Sequence, residues 1–220
     1  MNRNQARENM IEQQIRPWDV LDQRVLNALA DIPRENFVGD AYRDLAYSDT
    51  QLPIGHDQKM LNPNVDGRIL QALAVNTTDS VLEIGTGSGY LANCLSRLAG
   101  SVTTLEIIPE LHTAASARLE QAGCSNTRCI LQDAAVSWDA ADAYDAIAFS
   151  GSVQQIPDFY RQKVAINGRL FVVVGSQDNP TMEAQLHTRV SASEWISESL
   201  FETQVPPLQN FATESETFAF

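Results

Sequence analysis

The chain has 220 residues, 44% of them hydrophobic, enough for one large core or one domain with an appendage. Its 15 basic and 28 acidic residues give a formal net charge of −13, which disfavours a polyanionic partner, and no Lys/Arg cluster marks a nucleic-acid surface. No apolar run approaches the roughly 18 residues of a membrane span, and the polar start MNRNQARENMIEQQIR lacks the apolar centre of a signal peptide, so no membrane partner and a cytoplasmic location are expected. Cys94, Cys124 and Cys129 form no C-x-x-C pair and read as free, mostly buried thiols. His56, His112 and His187 show no zinc spacing, so no metal is expected.

Two helical patterns open the chain. Met10, Ile11 and Ile15 share one side of the first, which should end before Pro17 because a residue preceding proline avoids the helical region. The second repeats Val20, Leu21, Val25, Leu26 and Leu29 near helical spacing, with Asp19 suited to its N-cap. Ile32 to Phe37 reads as a short turn or helix. From Tyr47 to Asn64 the chain is rich in Pro, Gly, Asp and Asn and shows no period, which predicts a long loop, functional or mobile. A helix over Val65 to Leu73 brings that loop to the mouth of whatever follows. Strands are then expected at 80–84, 101–105, 128–132, 144–149, 168–174, 184–190 and 195–204, and helices at 91–98, 111–119 and 155–164. Such alternation implies a doubly wound, mostly parallel α/β sheet with helices on both faces, its last strands antiparallel. The organisation expected is an N-terminal unit of helices and active-site loop, 1–64, joined in one compact body to a sheet unit, 65–220. Trp18, Trp138 and Trp195 read as packing residues, and the tail from Val205 is expected to reach back toward the pocket.

The chemistry concentrates at strand ends. Val81-Leu82-Glu83-Ile84 runs into Gly85-Thr86-Gly87-Ser88-Gly89, where glycines permit a sharp turn and close approach of a ligand. A helix starting near Ser88 aims free N–H groups at that ligand. Dinucleotide folds use G-x-G-x-x-G, whereas this spacing is E-x-G-x-G-x-G. It resembles motif I of the class I S-adenosylmethionine methyltransferases, which implies a Rossmann-like seven-stranded sheet with an N-terminal helical appendage and Glu83 beside the cationic amino group of the cofactor. Glu106, at the exposed end of the second strand, is suited to both ribose hydroxyls. Asp133, ending the third, is suited to the adenine amine, and Ser150-Gly151, ending the fourth, to a pocket floor. The cofactor-binding set expected is Met60, Glu83, Gly85, Thr86, Gly87, Ser88, Gly89, Glu106, Ile107, Asp133, Ala134 and Ser150.

Several segments in one order resemble a narrower family, the protein-L-isoaspartate (D-aspartate) O-methyltransferases. They are MIEQQIR, Ile32 to Val38, AYRDLAYSDTQLPIG, VLEIGTGSGY, YDAIAFSG with Ile156-Pro157, and Asn167-Gly168-Arg169-Leu170 leading to Val174-Gly175. The resemblance covers roughly residues 10–174 and implies carboxyl methylation of damaged aspartyl residues with S-adenosyl-L-methionine. The family's loop reads Gln-Thr-Ile-Ser-x-Pro, and here it is Gln58-Lys59-Met60-Leu61-Asn62-Pro63. Leucine cannot replace the hydroxyl donor that holds the acceptor carboxylate in the family. Lys59, Asn62 and His56 are the loop candidates for that role. The acceptor therefore stays open between a protein or peptide carboxylate and a small-molecule one. A cofactor-binding regulatory protein without turnover is the reading from another class, and a nicotinamide oxidoreductase is disfavoured by the glycine spacing.

Overall fold

A computed structural model of the chain describes residues 2–136, 143–176, 178–179 and 181–211. Trp138 and the end of the tail, 212–220, lie outside the described residues. α1 (Arg3–Met10) passes through a π turn, Ile11–Ile15, into a 3-10 turn, Arg16–Trp18, that carries Pro17. Helical geometry thus continues past the expected stop, because an opening turn has no hydrogen bond for proline to break. Met10, Ile11 and Ile15 are buried, as their shared face requires.

α2 (Gln23–Asp31) starts four residues after Asp19. Its N-cap is Asp22, whose carboxylate accepts from the Arg24 N–H at 2.8 Å. Asp19 instead ends the 3-10 turn at φ 58°, and Leu21 is exposed. A tertiary anchor decides between the two acids. Gln71 accepts from the N–H groups of Leu21 (2.6 Å) and Asp22 (3.0 Å) and donates to the Asp19 carbonyl, which holds 19–22 out of the helix.

The segment expected to be an irregular loop contains a hairpin, β1 (Leu52–Gly55) with β2 (Gln58–Met60). His56 and Asp57 form its turn with φ of 53° and 58°. Two consecutive left-handed residues give a turn whose twist matches the strands, although Asn and Gly are its usual carriers. α3 (Pro63–Leu73) follows at once.

β3 (Ser80–Ile84), α4 (Tyr90–Leu98), β4 (Ser101–Glu106), α5 (Pro109–Gln121), β5 (Thr127–Leu131) and β6 (Tyr144–Val153) alternate as the sequence predicts. α6 is shorter than expected (Asp158–Gln162), because Val164 already pairs with Tyr144 to begin β7 (Val164–Val174). β8 (Met182–Arg189) and β9 (Trp195–Thr203) complete the sheet, in the order β5-β4-β3-β6-β7-β8-β9. The first five strands of that order are parallel, and β8 and β9 are antiparallel. Side chains alternate between two apolar layers. Val81, Ala146, Ala148, Phe171 and Val173 face one, and Leu82, Ile84, Ile147, Phe149, Leu170 and Val172 face the other. Strand order reverses between β3 and β6, and open α/β sheets bind ligands at that crevice, beyond the carboxyl ends of the strands.

Candidate functional site

The glycine-rich turn sits at that crevice. Gly85, Gly87 and Gly89 have φ of 93°, 53° and 88°. At Gly85 a Cβ would also stand 2.8 Å from the Ser150 hydroxyl and 2.7 Å from Leu208, so only hydrogen fits there. Gly89 occupies the N-cap of α4 with no side chain of its own to cap the helix, and the first N–H, on Tyr90, goes to the Ser88 hydroxyl.

Glu83 is wholly buried behind the turn. Its Oε2 accepts from the Thr104 hydroxyl at 2.5 Å, and its Oε1 has no partner. Burial pushes the carboxyl up to about 8, with Asp66 and Glu106 adding to the rise and the Thr104 hydrogen bond opposing it. An unpaired buried oxygen on an acid is costly, and a ligand ammonium placed there would satisfy it.

Glu106 is not an exposed strand end; it is 5% exposed. Its Oε2 accepts from the Gly87 N–H at 2.7 Å and its Oε1 from the Ile108 N–H at 3.0 Å. The carboxylate thereby ties the glycine turn to the end of β4, and each oxygen keeps a lone pair for a ligand hydroxyl. Asp133 accepts from the Ala135 N–H at 2.9 Å and from the Asn210 side-chain amide at 2.7 Å. The Ser150 hydroxyl donates to the Ile84 carbonyl at 2.8 Å and to the Gly85 carbonyl, fixing the floor.

Two adjoining cavities result. A cleft of about 610 Å³, counted to its open mouth, is lined by Gly85, Gly87, Glu106, Ile107, Asp133, Ala134 and Ser150 among others. A smaller one of about 310 Å³ adds Met60, Glu83, Thr86 and Ser88. Ile54, Lys59, Gly85, Gly87 and Ser150 line both. Of the expected cofactor-binding set only Gly89 lines neither. Thr86 and Ser88 spend their hydroxyls internally, on Thr104 at 2.6 Å and on the Tyr90 N–H at 3.2 Å. Of the loop candidates only Lys59 reaches the cleft. The Asn62 amide donates to Asp49 at 2.8 Å, and His56 points from the hairpin turn toward Glu110 at 4.0 Å.

Sequence reasoning missed one support. Arg34, wholly buried, is 2.5 Å from Asp66, donates to the Leu61 carbonyl and stacks 4.6 Å over the Tyr90 ring, which clamps the loop from behind. Leu61 itself is 6% exposed and belongs to the core. The tail from Val205, expected to reach back toward the pocket, forms the far wall of the cleft with residues 206–209 and Phe211. The Ser152 N–H donates to the Pro206 carbonyl and the Leu208 N–H to the Ser152 carbonyl, each at 2.9 Å. Phe211 packs edge-on against Phe149 at 5.9 Å. No motif signals the Arg34 clamp, since it joins residues far apart in the chain. Among the described residues no helix is long and apolar enough to cross a membrane, and no His/Cys/Asp/Glu group is arranged to hold a metal.

The family model for protein-L-isoaspartate(D-aspartate) O-methyltransferase (PCMT) matches residues 4–206. A protein-L-isoaspartate O-methyltransferase of Rhodopseudomonas palustris is 38% identical over 199 residues, covering 90% of this chain and 91% of the relative. One of Gloeobacter violaceus is 40% identical over 168 residues, covering 76% and 82%. Among solved structures, a Plasmodium falciparum protein described as a protein-L-isoaspartate O-methyltransferase, in complex with S-adenosyl-L-homocysteine, superposes with a TM-score of 0.78. At 19% identity, with 95% of this chain and 99% of that one covered, it shares the fold. Two thirds and more of the sequence thus align with one set of enzymes, and this chain belongs to the protein-L-isoaspartate(D-aspartate) O-methyltransferase family.

Proposed function

We propose that this protein is an S-adenosyl-L-methionine-dependent methyltransferase that esterifies the free carboxylate of isoaspartyl residues in cytoplasmic proteins and peptides. The observation that carries the reading is Glu83, which lines the smaller cavity with one carboxyl oxygen buried and unpaired, behind a turn whose Gly85 admits no Cβ. Glu83 would hold the amino group of the methionine end, Glu106 the ribose hydroxyls and Asp133 the adenine amine. Leu105, Ile107, Ile108 and Ala134 supply apolar walls. Bound S-adenosyl-L-methionine supplies an electrophilic methyl carbon on a sulfonium. A carboxylate oxygen can take that methyl by in-line displacement, giving a methyl ester and a neutral thioether with no proton to move. Such a reaction needs orientation rather than a general base, which suits a site where, among the described residues, no histidine lines either cavity.

Leu61 favours a second reading. An isobutyl group, buried at the position where the family carries a hydroxyl, donates nothing to an isoaspartyl carboxylate. A different carboxylate acceptor, in a protein or a small molecule, fits it as well. The test is calorimetry with S-adenosyl-L-methionine, S-adenosyl-L-homocysteine and nicotinamide dinucleotides, together with labelled methyl transfer. Acceptors would be an isoaspartyl peptide and the protein and metabolite pools of a cell extract. Base-labile label on the peptide supports the first reading, and label only in extract components supports the second. Adenosyl binding without transfer to any acceptor would leave a regulatory module, and binding of the dinucleotide alone would sink both.

A further inference from the structure

We infer that Lys59 is the residue that receives the acceptor's carboxylate. The inference rests on the carboxylate-methylating function proposed above. The starting point is the charge around the two cavities. Glu106 and Asp133 contribute carboxylates to the cleft, and the smaller cavity adds Glu83 and Asp66, the latter paired with Arg34, whereas Lys59 is the one lysine or arginine among the described residues that line them. A carboxylate entering from solvent meets this field in a protein of net charge −13. Unless a cation answers it, like charges disfavour the acceptor at the point where it must be held.

Lys59 lies where that cation is needed. It lines both cavities, together with Ile54, Gly85, Gly87 and Ser150, and so marks the passage between them. A ligand with its nucleoside end in the cleft and its amino-acid end in the smaller cavity carries its reactive centre through that passage. Lys59 is also free to act. It is exposed, and no hydrogen bond or ion pair engages its side chain among the described residues. Its backbone is fixed, since Lys59 pairs with Pro53 across the hairpin and Arg34 holds the Leu61 carbonyl two residues on. A compact ammonium on a flexible stem offers three donors to a carboxylate. The other loop groups are committed elsewhere, Asn62 to Asp49 and His56 toward Glu110.

A second consequence separates this role from general stickiness. An ammonium at the passage repels a cationic methyl donor but not its neutral thioether product. Removing the charge therefore improves S-adenosyl-L-methionine binding relative to S-adenosyl-L-homocysteine.

The experiment compares wild type with Lys59→Met, Lys59→Arg and Lys59→Glu. Calorimetry measures both adenosyl ligands, and then an isoaspartyl peptide added to protein saturated with S-adenosyl-L-homocysteine. Lys59→Met is expected to weaken peptide binding about tenfold or more, as for loss of a charge-assisted hydrogen bond. Lys59→Glu weakens it further and Lys59→Arg restores most of it. The ratio of S-adenosyl-L-methionine to S-adenosyl-L-homocysteine affinity rises about two- to fivefold in Lys59→Met, the scale of an exposed charge pair. Where turnover is measured, KM for the peptide rises more than kcat falls. Equal peptide affinity in wild type and Lys59→Met, or no peptide binding by either, overturns the inference. An unchanged ligand ratio overturns the placement of the charge. Peptide binding that depends on Lys59 without any methyl transfer would instead sink the proposed isoaspartyl activity and leave the assignment of Lys59 standing.

Discussion

Replacing Glu106 by alanine tests the site at its most connected group. The side chain accepts two backbone N–H groups, from Gly87 at 2.7 Å and Ile108 at 3.0 Å, and is 5% exposed. Both donors belong to residues that line the cleft, so water can reach them once the carboxylate is gone. The stability cost then lies near the low end for orphaned donors, about 1 kcal/mol each and about 2 kcal/mol together. For a chain of this length that lowers Tm by roughly 4–8 °C. The effect on ligand affinity is larger. Two charge-assisted hydrogen bonds to ribose hydroxyls at about 1.5–3 kcal/mol each sum to about 3–6 kcal/mol, a loss of at least about a hundredfold in Kd. Glu106→Gln separates the two effects, since it keeps the size and one acceptor while deleting the charge. It should melt closer to wild type and still bind at least about tenfold more weakly. The assay is titration calorimetry with S-adenosyl-L-homocysteine beside thermal unfolding of the same samples. A Glu106→Ala protein that melts cooperatively and binds within about twofold of wild type would refute the reasoning and place the ribose elsewhere.

Four further outcomes follow from the same geometry. Burial raises Glu83 to about 8, so between the ordinary carboxyl range and that value the folded protein holds a proton the unfolded chain has lost. Stability of the ligand-free protein should therefore fall as pH rises from about 5 to 8 and level off beyond. A ligand ammonium on Glu83 favours the ionised form, so binding at neutral pH should release a proton, detected as a binding enthalpy that depends on the buffer's ionisation enthalpy; no such dependence would count against the contact. Leu61→Ser should raise isoaspartyl turnover relative to wild type while costing about 2–5 kcal/mol, because the side chain is buried. Efficient wild-type turnover that falls in the variant would show that no hydroxyl is wanted there. Phe211→Ala should lower Tm and speed dissociation of the adenosyl ligands measured by stopped flow, since the ring packs on Phe149 and the segment before it walls the cleft. Unchanged dissociation would leave that wall a purely structural one.

How much was legible in the sequence depended on the range of the forces involved. Ser80–Ile84 matches its expected strand because a strand buried on both faces must be apolar at nearly every position. The strand-end acids were legible for a related reason. Glu83, Glu106 and Asp133 each follow or close such a run, and the topology then brings them to one crevice. The hairpin was not legible, because His56 and Asp57 adopt left-handed φ without the Asn or Gly that usually marks it. Asp19 and Asp22 both satisfy the local rule for a cap, and only Gln71, some fifty residues away, chooses between them. The clamp from Arg34 to Asp66 and the reach of Asn210 back to Asp133 span 32 and 77 residues, and no periodicity encodes such pairs.

The acids of the site also explain why it can bind a cation and still admit an anion. Glu83 carries the charge that a ligand ammonium wants, yet burial keeps its carboxyl protonated near neutrality until such a partner arrives. In the empty site one negative charge fewer opposes the acceptor. Glu106 is already engaged by two backbone donors, and Asp133 by a backbone N–H and the Asn210 amide, so part of their charge is answered locally. Asp66 is paired with Arg34, and what remains is a mouth where Lys59 is the one lysine or arginine among the described lining residues. That arrangement gives a small diffusing carboxylate one weak, salt-screened contact. It favours an acceptor that adds other contacts, as a peptide can with its backbone, to the charge pair at Lys59. The preference should therefore show as competition. Acetate at millimolar concentrations should leave isoaspartyl methylation untouched, and inhibition by acetate near the peptide's own KM would mean that the carboxylate alone is recognised.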